Sequence, residues 1–153
     1  MASGWHAFSA TECSTGQESG TPLILLGGLF CGRGFRLLLL TCYDLRFPCW
    51  SRYATGREYD AIVIVANWPE SRQSAWHLLT RARAIENQCY VIGVNRVGDD
   101  HYSHYAGASV VVDAYGKTVA QCRRHQVQTL SVNLDLAELQ RRREKFRVLE
   151  DRD

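Results

Sequence analysis

The sequence predicts an α/β layer fold, on three observations. Apolar runs of strand length occur at Leu37 to Leu40, at Ala61-Ile62-Val63-Ile64-Val65-Ala66 and at Cys89-Tyr90-Val91-Ile92-Gly93-Val94-Asn95. They are short for helices and too uniformly apolar for a sheet with one wet face, so they read as central parallel strands. Between the second and third, Ala75, Leu78, Leu79, Ala82 and Ile85 recur three or four residues apart, the spacing of one helical face. Strands alternating with helices call for a parallel sheet with right-handed crossovers.

Each element follows from its own residues. Residues 1 to 32 are rich in Ser, Thr and Gly and hold no persistent period, so they are the part least suited to packing. Within them, Leu23-Ile24-Leu25-Leu26 is a candidate strand. The strand from Phe35 ends at Thr41-Cys42, and Phe47 to Gly56 reads as a short helix with Pro48 in its first turn, where a missing N–H costs little. Asn67-Trp68-Pro69 ends the second strand because proline cannot donate to the ladder. Ser71 to Asn87 is the clearest helix. A polar loop through His101, His104 and Tyr105 precedes an antiparallel hairpin, Ala108 to Val112 and Thr118 to Cys122, turning at Tyr115-Gly116. A further strand is expected over Val127 to Val132, then a charged helix from Leu136 to about Arg147, N-capped at Asp135.

Composition narrows the function classes. A chain of 153 residues fits one domain and holds a real core. Its 18 Lys and Arg against 16 Asp and Glu are too balanced for a nucleic-acid footprint. The apolar stretch Leu23 to Leu40 is interrupted by Arg33 and Arg36 and lacks a basic start, which excludes a signal or membrane segment. The six cysteines, Cys13, Cys31, Cys42, Cys49, Cys89 and Cys122, form no C-x-x-C pair and read as reduced thiols of a cytoplasmic protein.

Chemistry gathers at Cys42. A lone cysteine is more often a core thiol, but here a buried strand delivers it to a polar turn, Tyr43-Asp44-Leu45-Arg46, at the carboxyl end of a sheet. Backbone N–H groups at such a turn favour nucleophilic attack by a thiol. Asn67-Trp68 ends the neighbouring strand in the same way, so two strand ends open on one crevice.

Four motifs in order, Cys-Tyr-Asp-Leu-Arg-Phe-Pro at 42–48, Ala-Asn-Trp-Pro at 66–69, Arg-Ala-Ile-Glu-Asn-Gln at 83–88 and Val-Ile-Gly-Val-Asn-Arg-Val-Gly at 91–98, resemble the nitrilase superfamily of carbon–nitrogen hydrolases. The similarity runs from about Gly34 to Phe146 and looks most like the ω-amidase branch, which deaminates ω-amides of 2-oxo acids such as 2-oxoglutaramate. The resemblance implies a partial αββα sandwich, with residues 33–153 as the carboxyl-terminal part of the hydrolase domain. It implies Cys42 as nucleophile and the backbone N–H of Tyr43 as an oxyanion donor, a contribution typically worth about 3 kcal/mol. It implies no metal or organic cofactor, a small amide substrate and a homodimer to which residues 71–87 contribute.

The same mechanism needs a glutamate base and an oxyanion-hole lysine before the nucleophile. No lysine precedes Cys42, where the glutamates are Glu12 and Glu18, and the only lysines, Lys117 and Lys145, fall in the hairpin turn and the last helix. Met1-Ala2 and His6 to Ala10 faintly resemble the family's segment after its lysine, while Thr11 to Cys31 is off-pattern, as a shifted frame or divergence would leave it. The expectation is a truncated ω-amidase-like chain with negligible activity alone and an exposed apolar sheet edge or face.

Neighbouring residues carry lesser expectations. Asp44 and Arg46 are expected to pair and brace the turn. Arg72 is either a substrate-carboxylate ligand or an exposed helix-start arginine. Arg83 and Glu86, three apart on a helix, suit a structural ion pair. Asn67 and Trp68 suit a substrate pocket, with a core role for Trp68 left open. His101 and His104 lack a third metal ligand, and Gly116-Lys117-Thr118 is a hairpin turn because Val111 stands where a phosphate loop needs glycine. Two rivals remain: a non-catalytic remnant that associates with intact homologues, and a Cys-His hydrolase using His77, His101 or His104.

Overall fold

The three apolar runs form the middle of one sheet. In the computed structural model, which describes residues 29–32 and 34–151, they are β2 (Phe35–Thr41), β3 (Ala61–Ala66) and β4 (Tyr90–Asn95). They run parallel, with Leu39 beside Val63 and Val63 beside Ile92. Their connections carry the helices α1 (Pro48–Ser51) and α2 (Gln73–Glu86), the length a parallel crossover requires.

Antiparallel strands extend the sheet on both sides. β1 (Leu29–Gly32) pairs with β2, while β7 (Val110–Val112) pairs with β4 and β8 (Thr118–Gln121) pairs with β7, giving the order β1-β2-β3-β4-β7-β8. A separate two-stranded hairpin joins β5 (Val97–Asp99) to β6 (His104–Ala106). The architecture is α/β, and no helix among the described residues is long and apolar enough to cross a membrane.

The two faces of the sheet are treated differently. On one, Leu38, Leu40, Ile62, Ile64, Val91, Val110 and Val112 are buried with Trp76 and Ala84 of α2. Gly93 makes this close approach possible, since a Cβ there would lie 2.6 Å from the Trp76 ring. On the other, α3 (Leu136–Lys145) seats Leu139 against Ala61 and Tyr90, beside Phe35 and Leu37. Farther along that face the cover stops, and Val65 and Val94, paired in register, are each 44% exposed.

One buried carboxylate ties α3 to the strand starts. Asp60 accepts from the Arg36 backbone N–H at 3.0 Å, the Arg36 guanidinium at 3.3 Å and Arg143 Nη1 at 3.0 Å. Arg143 also donates to the carbonyls of Tyr59 at 2.8 Å and Gln88 at 2.9 Å. Burial alone would raise the Asp60 carboxyl, but the hydrogen bonds from Arg36 and the charges of Arg36 and Arg143 hold it below the usual carboxylate range.

Four elements depart from the sequence expectation. The helix expected over 47–56 is a single turn, because the Tyr53 N–H is taken by the Asn87 side chain at 2.9 Å and residues 54–57 close a separate turn. Residues 127–132 form no strand. Leu130, Val132 and Leu134 alternate half-buried with exposed neighbours, but among the described residues no ladder partner lies beside them, and Val127 is 96% exposed. The loop through His101 to Tyr105 includes β6, because the Asp100 carboxylate accepts the N–H groups of Tyr102 at 2.9 Å and Ser103 at 2.8 Å and turns the chain back. Leu29–Gly32 is a strand inside the unpatterned segment, set by pairing with β2 across Gly34, whose φ of 82° suits glycine. The candidate strand at Leu23 to Leu26 lies outside the described residues.

Candidate active site

Cys42 opens a 3-10 turn, Cys42–Arg46, at the carboxyl end of β2. The turn is fixed at its start by Asp44, whose carboxylate accepts the Thr41 N–H at 2.9 Å. Cys42 itself sits at φ 41°, in the left-handed region that L side chains enter at a cost of roughly 1–2 kcal/mol. Strain of this kind persists only where the surroundings impose it, and it gathers at functional sites.

The turn is also tied down at its other end. At the far end of the turn, the nearly buried Arg83 donates Nη2 to the Leu45 carbonyl at 2.7 Å while Nη1 meets Glu86 at 3.0 Å. The Arg83–Glu86 pair is therefore present, and it braces the Cys42–Arg46 turn from α2. Asp44 and Arg46 do not pair with each other as expected. Asp44 is turned back to the Thr41 N–H, and the Arg46 guanidinium lies 4.8 Å from the centre of the Trp68 ring, a cation–π placement.

The Cys42 thiol is half-buried, with Sγ 3.9 Å from the Asn67 carbonyl. It faces a cleft of about 610 Å³ at the ends of the parallel strands. β2 contributes Thr41 ahead of Cys42, and the end of β3 contributes Val65, Ala66 and Asn67. The end of β4 contributes Val94, Asn95 and Arg96.

Asn95 shapes this cleft as a clamp. Its side-chain oxygen accepts the Trp68 N–H at 2.7 Å, and its nitrogen donates to the carbonyls of Trp68 at 3.1 Å and Gly107 at 2.9 Å. Three chain segments are thereby held at one point. Asn95 and Arg96 were not expected at the site from sequence, although β4, like the other two strands, ends in polar residues.

Other expected residues fall elsewhere. Trp68 is a core aromatic rather than a cleft wall: its ring is buried 5.6 Å from that of Trp76, and Nε1 donates to the Arg72 carbonyl at 2.8 Å. Arg72 is exposed and does not line the cleft. The Tyr43 side chain points outward, 61% exposed, with its ring 5.3 Å from that of Phe47. His77, His101 and His104 are absent from the cleft lining, and His104 pairs with Asp99 at 2.6 Å.

Burial separates the thiols. It pushes the Cys89 and Cys122 thiols up, so neither is a ready nucleophile, whereas Cys49 is exposed outside the cleft. Among the described residues, no group of three or more His, Cys, Asp or Glu side chains is placed to hold a metal ion. The arrangement offers one strained cysteine at the mouth of a largely apolar cleft, with backbone and amide groups near its sulfur.

Known proteins carry the same framework. The family model described as carbon-nitrogen hydrolase matches residues 7–144. The chain is 50% identical over 122 residues to the omega-amidase YafV of Yersinia enterocolitica, covering 79% of this chain and 47% of that protein. It is 38% identical over 112 residues to the 2-oxoglutaramate amidase of Bacillus subtilis strain 168, covering 73% of this chain and 43% of that one. The solved structure of a CN-hydrolase superfamily protein from Xanthomonas campestris, which carries an arsenic adduct in its active site, superposes with a TM-score of 0.78 at 40% identity over 83% of this chain and 50% of its own. The chain thus spans about half the length of the curated relatives it matches.

Proposed function

This chain belongs to the carbon–nitrogen hydrolase family, and from that premise we propose that it is the nucleophile-bearing part of a cytoplasmic amidase that uses Cys42 to release ammonia from ω-amides of 2-oxo acids, such as 2-oxoglutaramate. The observation that carries this reading is the backbone of Cys42, at φ 41° on the rim of the cleft. The substrate class follows the names of the Yersinia and Bacillus relatives.

In this reading the Cys42 sulfur adds to the amide carbonyl, and the carbonyl oxygen takes up negative charge opposite the backbone N–H of Tyr43. The tetrahedral adduct collapses to a thioester and expels ammonia, whose nitrogen takes up a proton as it leaves. Water then cleaves the thioester, giving the carboxylic acid and restoring the thiol. The Asn67 carbonyl, 3.9 Å from Sγ, borders the place where the amide nitrogen departs.

Proton transfer needs a base, and the described residues lining the cleft include no glutamate and no lysine. The 153-residue chain alone is therefore proposed to release negligible ammonia from 2-oxoglutaramate. The complete enzyme is proposed to pair as a homodimer through α2, where Leu78 and Ile85 are 68% and 49% exposed.

The test is complementation. The part of the Yersinia protein that this chain does not match is co-expressed with this chain, and ammonia release is assayed. Release that Cys42→Ala abolishes and Cys49→Ala leaves intact is the expected result. Release that survives Cys42→Ala overturns the assignment of the nucleophile.

A further inference from the structure

Among the described residues that line the cleft, Arg96 is the one that carries a formal charge. It follows Val94 by two residues at the end of β4, and its backbone N–H donates to the Ala66 carbonyl at 3.0 Å, which joins the ends of β3 and β4. Its guanidinium lies 4.7 Å from the centre of the Tyr105 ring, and Nη2 donates to the Asp99 carbonyl at 2.9 Å. The group is thus held at the cleft mouth, with a side chain 37% exposed.

Its charge is only loosely answered. The nearest carboxylate, Asp100, is 3.7 Å from Nη1. That carboxylate already accepts the N–H groups of Tyr102 at 2.9 Å and Ser103 at 2.8 Å, and the Tyr105 hydroxyl at 2.6 Å. A guanidinium has five N–H donors in a planar fork suited to carboxylate, so donors remain for a ligand.

We infer that Arg96 is the specificity residue of this cleft, binding the carboxylate at the far end of a substrate whose other end meets Cys42. The cleft between them is walled by Val65 and Val94, so it takes a short apolar spacer with an electrophilic carbon at one end and an anion at the other. Arg72, exposed and outside the cleft, is not that ligand. The inference rests on Cys42 being the nucleophile, and its test separates the two.

The test uses alkylation of the chain, which needs no turnover. Iodoacetylglycine, an anion, and iodoacetylglycinamide, its neutral isostere, are reacted separately, and labelling of Cys42 and Cys49 is followed by peptide mass spectrometry. The expected result is an anion-over-neutral rate ratio at Cys42 about fivefold above that at Cys49, the scale of a partly exposed ion pair. Arg96→Met brings the Cys42 ratio to the Cys49 value, and Arg96→Lys keeps part of the preference. Raising the salt concentration erodes the preference in the unmodified chain, a readout independent of any variant.

Equal ratios at the two cysteines in the unmodified chain overturn the role of Arg96 and leave Cys42 as nucleophile. Labelling of Cys42 no faster than Cys49 by either reagent overturns both.

Discussion

At the scale of the residue, Cys42 stands out for its backbone. A side chain at φ 41° gains when its Cβ is removed, whereas glycine elsewhere is entropically costly by roughly 0.5–1 kcal/mol relative to alanine. We therefore expect Cys42→Gly to be more stable than Cys42→Ala by about 1 kcal/mol in urea unfolding, the reverse of the usual order. Equal stabilities would mean that the turn relaxes once the sulfur is gone. The position of Cys42 was legible in the sequence, because an apolar run ended abruptly in polar residues. Its dihedral angle was not, since the turn that holds it is tied to α2 by the Arg83–Leu45 bond across 38 residues. The same holds for Asn95, whose partners Trp68 and Gly107 are 27 and 12 residues away. No local spacing encodes such a clamp.

At the scale of the element, α3 depends on Asp60. The carboxyl is held below its ordinary range in the folded chain, so its stabilisation is fully present above the unfolded value of about 3.9 and is lost as pH falls through the lower folded value. Asp60→Asn removes that acid-side dependence and leaves Arg143 underpaired, costing about 3 kcal/mol at neutral pH. Denaturant midpoints against pH check both statements: parallel curves for the two proteins would show that Asp60 does not set the acid limb. The strands β2, β3 and β4, the helix α2 and the N-cap of α3 at Asp135 could be read from period and residue type, since each buries a continuous face or carries a local cap. The span 127–132 misled because its alternation is that of a strand, but β-structure requires a partner that sequence does not display. β5 and β6 were hidden for the opposite reason, their pairing being set by the Asp100 turn rather than by apolar alternation.

At the scale of the whole molecule, the two sheet faces are unequally covered. α2 covers one side, whereas on the other α3 stops short of Val65 and Val94, and the apolar cleft opens there beside Cys42. An uncovered apolar face of this kind promotes association. The expected outcome is concentration-dependent self-association of the 153-residue chain and binding of a hydrophobic dye. Val65→Lys is expected to reduce both, because its side chain is already 44% exposed and is not used by the core beneath. Light scattering after size exclusion checks this, and an unchanged mass for Val65→Lys would place the contact elsewhere.

The indoles of Trp68 and Trp76 also make the fold optically legible. Their centroids are 5.6 Å apart and their planes cross at 48°, a fixed chiral arrangement of two chromophores. Trp68 lies under Arg46 of the Cys42–Arg46 turn, and Trp76 donates to the Ala108 carbonyl beyond Gly107, which Asn95 clamps. The near-ultraviolet circular dichroism of this pair therefore reports on the turn and the clamp together, and its loss at constant far-ultraviolet signal marks a chain that has kept its strands and helices but lost the geometry around its thiol.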